Sequence, residues 1–412
     1  MKIMLEIKEL KKGMYVSELD RPWLDSPFLF QGFRITNMQE LEQLGNTCKY
    51  VYVDPEKSVV PIRSKGVTVR PASPASDKPR PKVKPVVVTP YKADFESEFP
   101  KAKQIYLQTL DRVNDFFQDV RVGKALNVKN IKKTVVSVAD SVIRNPDALM
   151  LLSVLRNRDN ESVAHSVNVC TLSLIFGRYL GLDKKQLHEL GTGALLHDIG
   201  ESKVPREILL NHSNQTAEER KLMEDHTLHG VVLLQRIKGL PPSTIEIARD
   251  HHERVNGSGY PQNLQGSQLG LFTKMVAIVD VYDSVTSGLY GKPSITSEEA
   301  LKNMYVWREE LFDGNLIENF IQCLGIYPIG SVVELDRGDI GIVISADPAK
   351  RLFPRLMLVR DKEREPYEPP TVINLDHFRD KDTSYEIRRV VKPDVFGIDV
   401  RNYILQELSL QA

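Results

Sequence analysis

The chain is poor in cysteine. Its 412 residues include three, Cys48, Cys170 and Cys323, odd in number and far apart. That count excludes a disulfide framework and a thiolate zinc site, and it suits a reducing cytoplasm. Long apolar runs are missing too. The opening MKIMLEIKELKK breaks its apolar residues with charges, and nothing later approaches the roughly 18 uninterrupted apolar residues of a membrane span, so neither a signal peptide nor a span is expected. Net charge is absent as well, with 55 Lys+Arg against 55 Asp+Glu. A nucleic-acid polymer would demand a large basic excess, so that class of partner is set aside. What the chain does have is clustered histidine. Of nine histidines, all but His377 fall between His165 and His252.

At roughly 100–200 residues per domain, this length predicts two to four domains. Residues 1–60 read as a small α+β unit, with strands at Met14–Val16, Phe28–Ile35 and Tyr50–Val53 and a short helix over Met38–Leu44. Residues 61–100 carry eight prolines, and between Arg63 and Lys92 eight basic residues face the single acid Asp77, the composition of an extended, solvated linker. Residues 101–325 have helical periodicity, with helices at Lys101–Val122, Glu161–Leu180, Asp183 to His197-Asp198 with Gly200 as stop signal, and Leu269–Ser287. Thr216 with Glu219, and Ser243 with Glu246, fit the capping box. After Ile326 the pattern alternates with period two, giving strands at Val332–Leu335, Ile340–Ile344, Arg355–Val359 and Thr371–Leu375. The expected fold is mainly α: an all-helical central domain, a small α+β unit before it, and a β-rich subdomain over 326–412.

The histidine window holds the candidate chemistry. Glu161 and His165 are four apart, so one helix face presents both. His197-Asp198 ends the apolar run Gly193-Ala194-Leu195-Leu196, and Asp280 sits inside Met275–Val281; an acid in such surroundings must be paired or metal-bound. His226 and His229 are three apart, and spacing alone does not choose between them. The adjacent His251 and His252 diverge by about 100° on a helix and so can serve two ions. Singly, each has a bland reading as a surface contact or a buried pair. Together they form a cysteine-free N/O donor set suited to two or three open, hydrolytic divalent ions rather than a structural zinc site.

These residues carry a resemblance. His197-Asp198 with histidines before and after and a late aspartate looks like the HD superfamily of metal-dependent phosphohydrolases. More narrowly, His197-Asp198-Ile199-Gly200 and the run from His251-His252-Glu253 to Gly257-Ser258-Gly259-Tyr260-Pro261 resemble the HD-GYP family of cyclic di-GMP phosphodiesterases, over roughly residues 150–310. Leu10–Val16 is similar to part of a small domain often fused ahead of it. The resemblance implies metal ligands at His165, His197, Asp198, His226, His251, His252 and Asp280, with Asp198 bridging, and Glu161 helping to hold an additional ion. It favours His226 over His229 because a glycine, Gly230, follows four residues later.

The implied activity is hydrolysis of cyclic di-GMP to linear pGpG, with GMP after a second cut. Two ions, iron or manganese, would activate a bridging hydroxide and neutralise the phosphoryl oxygens. Tyr260, Lys203 and Lys292 are the candidate substrate contacts, and the Gly-Tyr-Pro loop is the expected surface for signalling proteins. A homodimer is the default expectation. Three positions depart from the family pattern: Glu201 replaces a lysine that contacts phosphate, Asn256 replaces an aspartate, and Leu289 replaces an arginine. A carboxylate at 201 is expected to repel phosphate. These departures motivate two alternatives, a low-turnover cyclic-dinucleotide sensor or scaffold, and a phosphohydrolase of another nucleotide.

Overall fold

A computed structural model describes residues 3–20, 33–35, 38–55, 58–60, 90–154, 160–210, 215–291, 294–308, 310–346, 353–378 and 385–404. The chain divides into two compact units, Met1–Lys84 and Pro85–Ala412.

The first unit is an antiparallel sheet of β1 (Ile3–Glu6), β2 (Tyr15–Leu19), β3 (Phe33–Arg34) and β4 (Tyr50–Val53) in the order β1-β4-β2-β3, with α1 (Met38–Thr47) between β3 and β4. Leu5, Val16, Leu44, Val51 and Val53 form its core. β1 had no clear strand signal, because charges flank its apolar residues. The expected strand from Phe28 falls largely outside the described residues.

In the second unit, helices come first: α2 (Phe95–Arg121), α3 (Val128–Arg144), α4 (Pro146–Ser153), α5 (Glu161–Tyr179), α6 (Lys184–Leu196), α7 (Arg206–Leu210), α8 (Ala217–Glu224), α9 (His226–Gln235), α10 (Pro242–Asp250), α11 (Leu271–Ser287), α12 (Ser297–Val306) and α13 (Gly314–Leu324). α2 opens six residues before the expected Lys101 and carries Pro100 within it. Tertiary contacts override the local proline signal. Asp94 caps the first turn through Ser97 N–H, and the buried Glu98 accepts from Arg144 Nε at 2.6 Å and Ser141 Oγ at 2.7 Å. The Thr216–Glu219 capping box forms. The Ser243 one does not: Pro242 starts α10 one residue earlier, where its missing N–H costs nothing, and Ser243 Oγ has no hydrogen-bond partner.

A five-stranded antiparallel sheet follows, β5 (Val332–Leu335), β6 (Ile340–Ser345), β7 (Arg355–Arg360), β8 (Pro366–Asn374) and β9 (Ile387–Val391), in the order β8-β7-β6-β5-β9. The central strands β5 and β6 are buried almost throughout, while β8 at one edge has only exposed and half-buried residues. A buried carboxylate ties sheet to helices: Asp147 of α4 accepts from Tyr91 Oη at 2.9 Å, Ser345 Oγ at 2.6 Å and Ala346 N at 3.1 Å. Along the chain, a mainly helical centre is preceded by one small β-containing unit and followed by another. Among the described residues, no helix is long and apolar enough to cross a membrane.

Candidate metal centre

Close helix packing assembles the site. Gly193 on α6 lies so near Ile247 of α10 that a Cβ there would collide with its side chain, and a Cβ on Gly200 would overlap the backbone carbonyl of His226 at the start of α9. Gly200 is thus more than a stop signal. It lets the short 3-10 turn Ile199–Lys203 lie directly against α9. His197 and Asp198, at the end of α6, are thereby brought to His226, to His251 at the end of α10, to His165 on α5 and to Asp280 on α11. All six are buried.

Donor atoms fall into two groups, Asp198 with His226, His251 and His252, and His165 with His197 and Asp280. Asp198 faces both. Its Oδ1 lies 3.2 Å from His251 Nε2 and 3.4 Å from His226 Nε2, and its Oδ2 lies 3.1 Å from His197 Nε2 and 3.6 Å from His165 Nε2.

The far sides of these rings are occupied. His197, His226 and His251 place Nδ1 at 2.8, 2.6 and 3.0 Å from the carbonyls of Ala194, Met223 and Ile247. A carbonyl only accepts, so each Nδ1 carries the proton, and in the neutral ring Nε2 presents a lone pair. His226 Nε2 and His251 Nε2 then face each other at 3.4 Å, and both face a carboxylate. His197 Nε2 and Asp198 Oδ1 are buried without a hydrogen-bond partner. Lone pairs converging in a dry interior repel one another unless protons or cations lie among them, and the donor set fits a divalent pair. His165 is oriented by Asp283, whose Oδ2 lies 2.7 Å from Nδ1.

With no cation between them, the carboxylates draw protons onto the rings instead, raising the His165, His197 and His226 pKa values against burial, His226 to about 9. Burial pushes the Asp198 carboxyl up, but His197, His226 and His251 hold it well below the usual carboxylate range. Asp280 is likewise held low against burial by His165 and His252. Burial, reinforced by His251, keeps His252 neutral, with its pKa well below the usual histidine value.

The other predicted site residues are distributed around this core. Tyr260 stacks on His252 with centroids 4.7 Å apart and planes at 26°, and burial followed by Asp280 raises its phenol pKa well above 10. Glu161 lies outside both donor groups, and its Oε2 accepts from Tyr290 N–H at 2.7 Å. Lys203 donates from Nζ to the Val120 carbonyl at 2.9 Å, at the end of α2. Lys292 and His212 lie outside the described residues. His229 is half-buried and belongs to neither donor group.

Each departure from the family pattern has a local structural account. Glu201 is buried, and its Oε2 accepts from Tyr290 Oη at 2.5 Å; Tyr290 Oη also lies 2.8 Å from Ser162 Oγ. Burial, then the Asp198 charge, pushes Glu201 up to about 7. The expectation that Glu201 confronts phosphate is corrected: its carboxylate is turned inward, against a phenol. Leu289 packs with Tyr290 on Val204, Ile208, Leu209 and Met223. Asn256 Oδ1 accepts from Ser258 N–H at 3.0 Å, a turn that needs an acceptor but no charge.

Sequence reading gave no role to three supporting residues: Asp283 and Glu253, which it met only as parts of the family pattern, and Tyr290. The buried Glu253 pins the Gly-Tyr-Pro loop, accepting from Gln262 N at 2.6 Å and Leu264 N at 2.9 Å. Asp283 had a legible signal, an acid three residues after Asp280 in the same apolar helix. The other two act through contacts that no local spacing reveals.

Helices that converge a cysteine-free histidine and aspartate cluster, arranged in two donor groups about one carboxylate, define a binuclear divalent-metal hydrolase centre. Residues 150–316 match the HD domain family, and residues 2–131 match a domain of unknown function, DUF3391. The chain is 30% identical over 373 residues to the cyclic di-GMP phosphodiesterase PA4108 of Pseudomonas aeruginosa, which covers 90% of this chain and 88% of that relative. A cyclic di-GMP phosphodiesterase of Thermotoga maritima is 32% identical over 178 residues, 43% of this chain and 48% of its own length. The solved structure of Bd1817, an HDG"Y"P protein of Bdellovibrio bacteriovorus, is 18% identical, with a TM-score of 0.47 over 78% of this chain and 98% of that one. The chain belongs to the HD-domain superfamily as a metal-dependent phosphohydrolase related to the HD-GYP-type cyclic di-GMP phosphodiesterases, with an N-terminal accessory domain.

Proposed function

We propose that this protein hydrolyses cyclic di-GMP to linear pGpG in the cytoplasm. The ion pair would be iron or manganese, held by His165, His197, Asp198, His226, His251, His252 and Asp280, with Glu161 available for an additional ion. When bound, such a pair activates water and neutralises charge on the phosphoryl oxygens.

One observation carries the reading: Asp198 turns one oxygen toward each donor group, with four imidazole Nε2 atoms within 3.6 Å of its carboxylate. The chain's own residues do the positioning. Backbone carbonyls and Asp283 fix the ring orientations, so little reorganisation accompanies charge development at the phosphate. Tyr260, kept protonated, offers a stacking face and a donor at the edge of the cluster. The relatives named as cyclic di-GMP phosphodiesterases support the choice of substrate.

The test is turnover of cyclic di-GMP by protein loaded anaerobically with iron or manganese, beside Asp198→Ala. The expected result is pGpG formation by wild type and a loss of at least a thousandfold in the variant, with lower metal content. Equal inertness of the two, with the dinucleotide still bound by wild type, would overturn hydrolysis in favour of a sensor.

A further inference from the structure

Of the seven proposed ligands, only His165 is among the described residues lining a cavity of about 960 Å³ between the helices and the C-terminal sheet. Glu161 and His165 on α5 and Asp283 on α11 line one side; Ser331, Lys392 and Arg401 of the C-terminal segment line the other. The size suits a ligand larger than a single phosphate. Three acids line the cavity too: Glu161 accepts from Tyr290 N–H, Asp283 from Asn168 with His165 beside it, and Asp399 on the opposite wall from Asn402 N–H. Among the described lining residues, Lys392 and Arg401 are the only lysine and arginine. Lys392 has one loose ionic contact, 3.8 Å to Glu299 with both side chains well exposed, which an arriving anion can replace at little cost.

Among the described residues of the helical domain, no cation expected to grip phosphate lines this cavity, and Lys292 lies outside them. Leucine occupies position 289, Glu201 is sealed against Tyr290, and Lys203 is bound to the Val120 carbonyl. A cyclic dinucleotide carries two phosphodiesters, only one of which can lie at the metal pair. The other needs a cation.

We propose that the cavity holds the distal half of a cyclic dinucleotide, and that Lys392 and Arg401 of the C-terminal unit grip the phosphodiester that is not being cut. This assignment rests on the substrate reading above. It makes the C-terminal unit part of the substrate site and adds two cations to whatever the helical domain offers the dinucleotide.

The test compares metal-loaded, full-length wild type with the Lys392→Ala/Arg401→Ala double variant on two substrates, cyclic di-GMP and bis(p-nitrophenyl) phosphate. The second has one phosphate and reports the competence of the metal centre. Both replaced side chains are exposed at the surface, so folding is verified by circular dichroism and metal content. The expected result is that the ratio of KM for cyclic di-GMP to KM for the one-phosphate diester rises at least tenfold in the variant. A ratio within twofold of wild type, with wild type turning over cyclic di-GMP, overturns the subsite and leaves the substrate reading standing. Failure of wild type to bind or cut cyclic di-GMP while still cutting the simple diester overturns both.

Discussion

Asp283 orients a ring that must present one nitrogen to the cluster. Its carboxylate lies 2.7 Å from His165 Nδ1 and is itself held by Asn168 Nδ2 at 3.2 Å. Partners of this kind are worth roughly 10–100-fold in metal affinity. Asp283→Ala is therefore expected to weaken metal binding by about that factor, read by metal titration, while secondary structure stays unchanged. Unaltered affinity would show that His165 needs no such partner.

Glu201 requires a different expectation from the one its sequence position suggests. In the HD-GYP pattern a lysine belongs there, and restoring it would be expected to improve substrate binding. In this fold Glu201→Lys places an ammonium in a closed pocket and strips Tyr290 of its acceptor. The expected outcome is a loss of roughly 3 kcal/mol in urea unfolding; full stability with a lower KM would contradict it. The same burial sets a pH dependence in the metal-free protein. The folded pKa, about 7, lies above the ordinary 4.5, so the native state binds the proton more tightly than the unfolded chain does. Glu201's contribution is favourable at acid pH and is lost as pH rises through about 7. Measured by denaturation across pH 4.5–7, wild type should lose stability relative to Glu201→Gln; parallel curves would reject the assignment.

At the scale of elements, the centre depends on three helices approaching more closely than side chains normally permit. Gly200 lies against the His226 carbonyl and Gly230, and Gly193 against Ile247. Gly200→Ala must push α9 away, at a cost of roughly 1–3 kcal/mol for overpacking, and it carries His226 out of reach of Asp198. Reduced thermal stability together with reduced metal content is the expected pair of results. A stable variant with full metal content would mean that the backbone yields there. Little of this was legible beforehand. Helix spacing placed His165 and Asp280 on helices and the two His-containing dipeptides at helix ends, and a capping box correctly marked α8. Pro100 misled because a contact distant in sequence, Glu98 with Arg144, outweighed the local signal, and Ser243 because its neighbour Pro242 takes the first turn of α10.

Across the whole molecule, the two donor groups draw on α5, α6, α9, α10 and α11 and the residues at their ends, all in the larger unit. Bound ions stabilise only the state that assembles these ligands, by about 4 kcal/mol at a thousandfold excess over Kd. Chelation is expected to lower the melting transition of residues 85–412 while leaving that of residues 1–84 in place, as resolved by calorimetry or by hydrogen exchange of the two units. An equal shift of both would imply that the metal centre supports the N-terminal unit.

The residue types, their helical spacing and the lack of cysteine already specified an N/O metal cluster on a helical domain between two small β-containing units, because periodicity and ligand chemistry are local properties. Only the tertiary structure decided which atoms meet. It turned Glu201 inward and Lys203 to a distant carbonyl, left His229 outside both donor groups, placed Asp198 between them, and brought Lys392 and Arg401 to the rim of a cavity whose opposite wall carries His165. Those outcomes follow from packing between segments tens to hundreds of residues apart, and no window of sequence contains them.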